Sequence, residues 1–593
     1  MEGEQCHAFD AFLGGFGTSF SVNIASERTI NWIPERNATS VNGQGTDVTD
    51  KNVRCTLVRR PGLKTFVTLP KTPVRGVFPG AYRLFAAAGD SYYEIFANGT
   101  YTDRSVPGFT GSSGIGPAGG SIGNDNLPVQ AFFNGTQALI VSNEKAYCDN
   151  GNGPVACQFS EPLTDLVVDS ADSTGKTLTT ATGNAFDSTD VGRQVQITGG
   201  TGFNLITQAI ASVNSTGEAI GASAWGTPGS TLGTGYEWLD QVTAGQGAFL
   251  DGYFFVTQPS TLAPSNTSSN SVYFSAINDG THWNPLDFFK KSNYPDDVVA
   301  LFADHEELYT FGDLESTQVW RDTGNADNPF SADQGAIMHL GCQARWSVVR
   351  LGNGVAWLGQ DVRRGTRKAF SATGFNPVPV STPGVEAQWA RYPIVSDAVA
   401  FTYADHGHDM WVICFPSGNA TWAYDLTTGW WTEWGVWKSS TGTWDRWPVW
   451  VHCVVALGGV GAPEKHYGGD WQTGQIYVIS SDYKTDDGRQ TVRRRIAPHL
   501  TPENMRRFYS RFEIDCDVLG LQRVFWNRLG TGRDRIWSLD AIQTSETAGV
   551  QLNLSFSDDR LQTTQGPYSI TLDPSVDVSL VNAYLNWVDA TWH

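Results

Sequence analysis

The sequence predicts an all-β protein, a β-propeller of six or seven blades with an inserted small β domain and a β-rich C-terminal region. Three observations predict it. Apolar and polar residues alternate with period two between Gly, Asn and Asp punctuation from about residue 70 onward, the pattern of half-buried strands. Long amphipathic helical patterns are nearly absent. A loose repeat of roughly 40 to 50 residues recurs, each unit holding a strand, a tight turn, a strongly apolar strand and an aromatic-marked outer strand.

The first unit reads RGVFPGAYRLFAAAGDSYYEIFANGTYT from Arg75, and the second runs from Pro128 through Tyr147. The third opens GAFLDGYFFVTQ at Gly247 and ends SVYFSAINDGTHW. The fourth spans Val298 to Trp320, and the fifth contains SVVRLGNGVAWLGQD from Ser347. The sixth begins at Ser396 and includes TWAYDLTTGWWTEW, and a seventh includes GQIYVIS from Gly474. Trp283, Trp320, Trp357, Trp422 and Trp430, with Gly312, Gly359 and Asp425, are the expected blade anchors, because an aromatic in such a repeat belongs to the core. Residues 163–236 interrupt the repeat with a Ser/Thr/Gly-rich stretch that reads DSTDVGRQVQITGGTGFN at its centre. The expected division is an N-terminal segment with the first blades (1–162), an inserted β domain (163–236), the remaining blades (237–485), and a C-terminal β region (486–593) that closes the propeller or forms its tip.

Composition narrows the function classes. Forty Lys and Arg against 60 Asp and Glu leave a formal charge of −20, which argues against holding nucleic acid by neutralising phosphates over the whole surface. A hydrophobic content of 40% is ample for a large core, which excludes global disorder. No run of apolar residues is long enough to span a bilayer, and MEGEQCHAFD lacks the regions of a signal peptide; the expectation is a chain that neither inserts in membranes nor follows the standard export route. The eight cysteines include no CxxC pair, so a zinc ribbon has no support. Cys148 and Cys157 could pair across a hairpin or stay as buried free thiols, the blander reading.

Charge is uneven. From Lys484 to Arg535 there are 12 basic residues against seven acidic ones. Arg493, Arg494, Arg495, Arg506, Arg507 and Arg511 form the densest cluster, a solvated strand face, a subunit contact or a set of phosphate contacts.

Two constellations bear on chemistry. Asp405-His406-Gly407-His408-Asp409 alternates imidazoles and carboxylates at strand spacing, which could present a metal with two ligands on one face. It also lies between two apolar runs, where a polar hairpin belongs, and no third ligand can be assigned. The stretch from Ser275 to Trp283, SAINDGTHW, resembles the Asp-box turn of sialidase-like propellers, with Ser557-Asp558-Asp559 a fainter echo. That turn is structural, so it speaks for fold rather than catalysis. No two carboxylates can be paired across blades for glycoside hydrolysis, and no Walker A loop, G-x-S-x-G elbow or HExxH occurs. The expectation is a non-enzyme with no catalytic residue, cofactor or metal.

The run YFSAINDGTHWNPLDFF, followed by PDDVVALFADHEELYTFGDLESTQVWRDTGNADNPF, resembles the tail hub or nozzle (packaged-DNA stabilisation) proteins of short-tailed bacteriophages. The likeness continues through GVAWLGQDVRRG, STPGVE at Ser381 and SDAVAFTYADHGHDMWVICFPSGNATWAYDLTTGWW. NWIPE at Asn31 and RRPGLKTF at Arg59 are similar to the family's opening signature, and FWNRLGTGRDRIWSL from Phe525 to its C-terminal part. The resemblance implies a virion protein, made in the host cytoplasm and assembled as a ring, usually of six subunits, below the portal and adaptor rings. Such a ring continues the channel for double-stranded DNA, retains the packaged genome, and offers sites for tail fibres or spikes and a tip or needle. The alternative from the residues alone is a carbohydrate-binding or carbohydrate-active propeller that uses surface tryptophans and the insert.

Overall fold

In the computed structural model, the residues described are 7–8, 12–18, 26–36, 55–106, 120–183, 186–258, 270–294, 296–325, 328–361, 366–497, 507–517, 522–527, 531–532, 535–543, 550–558, 563–571 and 579–589. Seven antiparallel blades occupy residues 62–480, apart from the insert between the second and third; five are four-stranded sheets, blade five has a fifth short strand, and blade six is four strands of a larger sheet. Blade one holds Val74–Gly80, Arg83–Ala88, Ser91–Ile95 and Tyr101–Asp103. Blades two to six follow in order from Gln130, Gly247, Val298, Gly341 and Val399. Blade seven takes Val449–Val455, Lys465–Asp470 and Gln475–Ser480 from one end of the ring and Gly62–Thr68 from the other. Ile476 pairs with Val67 and Ile479 with Leu63. Each of the seven sequence repeats corresponds to one blade. The strand that closes the ring comes from the N-terminal side, a correction to the option that residues 486–593 close it. Only the chain's return past its own start puts Gly62–Thr68 beside Gln475–Ser480.

Local sequence explains the hairpins. In blades three, four and six the first two strands are joined by two-residue turns with both φ values positive: Asp251-Gly252 (50°, 87°), His305-Glu306 (50°, 62°) and His406-Gly407 (49°, 84°). Such turns match the right-handed twist of the strands they join, which is why Gly and Asp recur there. The apolar second strands then lie buried on both faces, as in Glu307–Gly312 and His408–Phe415.

The core lies between blades. Ala248, Phe255 and Phe274 of blade three pack with Val298, Leu308 and Trp320 of blade four. Trp320 stands 4.1 Å from Phe289, centroid to centroid, and its Nε1 donates to Thr310 Oγ1. Trp357 is fully buried between blades four and five, 5.3 Å from Phe311, and donates to the Gly341 carbonyl. Gly359 lies against the Gly341 carbonyl and the Phe370 ring, and Gly312 against the Asp296 carboxylate, where a Cβ would collide. Trp422 packs between blades five and six and donates to Tyr392 Oη. Of the expected anchors, Trp430 is only half-buried, and its neighbour Trp431 holds the interior position. Successive strand residues face opposite sides, so only one of the two can point inward.

Residues 158–241 form a closed six-stranded antiparallel barrel between blades two and three, in the order Gln158–Val168, Thr177–Thr180, Ala219–Gly221, Thr207–Val213, Gln194–Gly199 and Gly233–Gln241. Its own core contains Leu166, Val195, Ile197 and Trp225. Beyond blade seven, Thr491–Ile496 pairs with Ser26–Ile30, which also bridges in parallel to Glu433 on the outer edge of blade six. The sheet continues through Arg535–Gln543, Gln551–Asp558 and Thr563–Thr571. A second sheet joins Trp32–Arg36, Cys55–Arg59, Ser579–Asp589, Arg507–Asp517 and Gln522–Asn527. Phe512 of the second stacks 5.3 Å from Trp537 of the first, so the two sheets share apolar contacts.

Trp320→Ala should cost about 3–5 kcal/mol, by lost burial plus the cavity left behind; urea unfolding measures it, and wild-type stability would contradict the placement. Removing residues 1–69 should abolish cooperative melting of the propeller, because blade seven then lacks its fourth strand; a truncated chain that melts sharply at the full-length temperature would refute this.

Candidate functional site

Three places concentrate polar or titratable groups: the propeller axis, the Asp-box turn beside the insert, and an arginine seam between the propeller and the C-terminal sheets. The axis holds a cavity of about 370 Å³ walled by the inner strands of all seven blades. Phe132, Phe249, Phe302, Phe401 and Trp450 line it, with Arg345 and His452 as the titratable groups among the described lining residues. The Arg345 guanidinium lies 4.0 Å from the Trp346 ring centroid, and burial pulls its pKa down. His452 Nε2 is 3.0 Å from His466 Nδ1. Burial first, and the neighbouring His466 second, pull the His452 pKa down to about 3.

The Asp405–Asp409 segment is a hairpin tip: Asp405 pairs with His408 across the turn. His406 points to solvent beside Asp405, whereas His408 Nδ1 is 2.8 Å from Asp425 Oδ2. That hydrogen bond raises the His408 pKa against the opposing effect of burial. Asp425 also accepts from the Thr428 hydroxyl and the Thr427 amide, so its role in the blade is to tie turn to strand. Among the described residues no three His, Cys, Asp or Glu side chains converge as a metal site.

In the Asp-box turn, Asn278 adopts φ 57°. Asp279 accepts from the Thr281 amide and hydroxyl and sits 2.7 Å from His282 Nδ1. Burial pushes the Asp279 carboxyl up, but the His282 and Thr281 hydrogen bonds outweigh it and hold it well below the usual carboxylate range. Trp283 is fully buried, donates to the Gly280 carbonyl, and plugs the space between blades two and three among Val141, Cys148, Cys157 and Phe254. Cys148 and Cys157 are both free, buried thiols in that cluster.

The arginine cluster divides by strand alternation. Arg495 is fully buried and donates to the Phe12 and Gly15 carbonyls, Thr29 Oγ1 and Glu27 Oε2 at 2.6–2.9 Å. Arg493, also buried, stands 4.6 Å over the Trp32 ring. Arg494 faces the other side, in a bidentate pair with Asp540 at 2.7 and 2.9 Å and 5.0 Å from the Trp437 ring. This corrects the expectation of phosphate or subunit contacts at Arg493 and Arg495, whose guanidinium groups lie inside the subunit. The backbone of Arg507 lies in a strand paired to Ser579–Asp589, and Arg506 falls outside the described residues.

Sequence reasoning missed the group at the centre of this seam. Arg60 makes a buried bidentate pair with Asp486, at 2.9 and 2.6 Å, and donates from Nε to Asn31 Oδ1 at 2.7 Å. Asn31, at φ 59°, accepts from the Gly435 amide and donates to the Gly435 and Val492 carbonyls. The signal was present: Asn31 and Arg60 sit inside the NWIPE and RRPG motifs, but their partners lie more than 400 residues away along the chain.

Arg60→Ala should cost about 3–5 kcal/mol by leaving the Asp486 carboxylate buried without its partner, whereas Arg494→Ala, at a partly exposed pair, should cost about 1 kcal/mol or less. Equal losses in urea unfolding would overturn the distinction. For pH, the depressed His452 pKa means the unfolded chain binds the proton that the folded chain refuses. Stability is therefore lost as pH falls from about 6.5 toward 3, with a slope approaching about 1.4 kcal/mol per pH unit from this group. The raised His408 pKa acts oppositely, its contribution being lost as pH rises through it. His452→Phe should flatten the decline of stability between pH 6.5 and 4; an unchanged decline would refute it.

The N-terminal domain of Nup159 (9% identity, 71% of this chain and 95% of that one, TM-score 0.32) and the Neurospora crassa Pan2 WD40 domain (8%, 72% and 97%, 0.34) are among the similar solved structures. The WD40 beta propeller domain of Doa1 is another (8%, 72% and 98%, 0.31). No curated protein matches the chain. Residues 176–484, more than half of the chain, match the family model described as Bacteriophage P22 Gp10, beta-propeller, and the chain belongs to that phage-stabilisation family.

Proposed function

We propose that this chain is the hub or nozzle subunit of a short phage tail, a finer reading of the tail structural role in DNA stabilisation that its family carries. In this reading it forms a homomeric ring, of six subunits, below the portal and adaptor. The ring extends the DNA channel, retains the packaged genome and anchors tail fibres or spikes. Residues 163–236 act as an appended module, and residues 486–593 as a β region whose strands share sheets with N-terminal strands and with blade six. The observation that carries the reading is the family match, which runs across the insert and blades three to seven. Charge supports the mechanism: a chain at −20 lines a channel through which DNA slides, because adhesion needs Lys and Arg to displace counterions. Two of the clustered arginines are buried in the subunit, so the most basic segment adds less to the surface than its sequence suggests.

Electron microscopy of the purified protein with its adaptor partner tests assembly: rings of six at the base of the adaptor are expected, and particles that stay monomeric would overturn the reading. The sliding mechanism has its own check. Duplex DNA should pass unretarded in a gel-shift with the purified chain at about 150 mM salt, and tight retention there would contradict it.

A further inference from the structure

A cavity of about 490 Å³ lies at the seam between the inserted barrel and blades two and three, within the volume range of small-ligand sites. It is built by strand register. Gln194 pairs with Trp238 on the barrel, and in the next rung on the same face Gln196 pairs with Thr207 on one side and Tyr236 on the other. Period-two alternation thus sets two rings, two amides and a hydroxyl side by side. His282 of the Asp-box turn completes the arrangement, its ring centroid 4.3 Å from Tyr236 and 5.4 Å from Trp238, held by Asp279 at 2.7 Å.

The polar groups of this strip are not spent internally. The side chains of Gln194, Gln196 and Thr207 and the indole N–H of Trp238 have no hydrogen-bond partner among the described residues. Trp238 is half-buried, and the buried thiols Cys148 and Cys157 contribute to the cavity's apolar side. Among the described residues no Asp, Glu, Lys or Arg lines the cavity, in a chain where 17% of residues are charged. A phosphate or carboxylate ligand calls for Arg or Lys. An indole face with adjacent amide donors and acceptors instead suits a neutral polyhydroxylated ring, whose C–H face stacks while its hydroxyls exchange hydrogen bonds with Gln and Thr.

We propose that this seam is a binding site for a neutral oligosaccharide, with Trp238 as the stacking platform and Gln194, Gln196 and Thr207 as the hydroxyl readers. Binding needs no bond cleavage, and the site is independent of the ring assembly proposed above. The test presents the full chain to an array of neutral hexose and N-acetylhexosamine oligosaccharides beside sialylated and sulfated ones, then titrates the best neutral compound by tryptophan fluorescence. Binding confined to neutral compounds is expected. Trp238→Ala and the double variant Gln194→Ala/Gln196→Ala should each weaken it about tenfold or more, with melting temperatures unchanged for the double variant, whose side chains lie on the barrel surface. No binding to any neutral compound, stronger binding of the charged ones, or wild-type affinity in the double variant would overturn the proposal. A chain that forms rings but binds no saccharide refutes this inference alone; one that binds saccharide but stays monomeric refutes the nozzle reading alone.

Discussion

The buried contact between Arg60 and Asp486, with Asn31 as its third member, is the constraint on which the rest of the structure depends. Arg60 lies two residues before the strand that closes blade seven, and Asp486 follows that blade's last strand from the other end of the ring. The ion pair therefore sits where the two ends of the propeller meet. Asn31 extends the contact to Gly435 on the edge of blade six and to Val492 at the start of the C-terminal sheet. A charge pair removed from water costs free energy unless its hydrogen bonds are satisfied. Here the guanidinium spends donors on a carboxylate, an amide oxygen and the Pro61 carbonyl. Gly62, next in sequence, has no room for a Cβ against the Tyr483 carbonyl, so the chain crosses itself at the closest approach that backbone permits.

From that junction the architecture propagates by repetition. Each blade is stable only against its neighbours, because an isolated four-stranded sheet leaves both apolar faces in water. The inter-blade tryptophans and phenylalanines fill these spaces in sequence around the ring, and the last space, between blades seven and one, is filled by Val67, Val74, Tyr93 and Tyr467. The helix Pro383–Trp389 serves the same end, since Trp389 packs 5.2 Å from Trp431 beneath blades five and six. Because Gly62–Thr68 and Gln475–Ser480 pair within one sheet, the ring of blades closes on itself.

The inserted barrel follows a different logic. It has its own core and leaves the propeller by strands that begin at Gln158 and end at Gln241. A bridge from Phe159 to Trp283 and a hydrogen bond from the Ser160 amide to the Trp283 carbonyl fix its base to the Asp-box turn. That attachment is what brings barrel residues within ring contact of His282 and creates the neutral cavity at the seam.

By itself the sequence determined the all-β class, a repeat array of six or seven units and an interruption after the second, because these depend on local alternation and turn chemistry. The hairpin at Asp405–Asp409 was legible for the same reason: positive-φ turn residues between apolar runs specify a turn whatever surrounds them. Tertiary structure alone decided the rest. Trp430 was the expected anchor, but it and Trp431 are adjacent and alike, and which of them faces inward depends on the neighbouring blade. The arginines at 493–495 read as a basic patch, and only the pairing of their strand with Ser26–Ile30 and Arg535–Gln543 buries two of them and pairs the third. Closure by Gly62–Thr68, the Arg60–Asp486–Asn31 contact and the rungs of Gln194, Gln196 and Trp238 all join residues distant along the chain. Such contacts leave no local periodicity, and the fold supplies the distances that sequence spacing cannot.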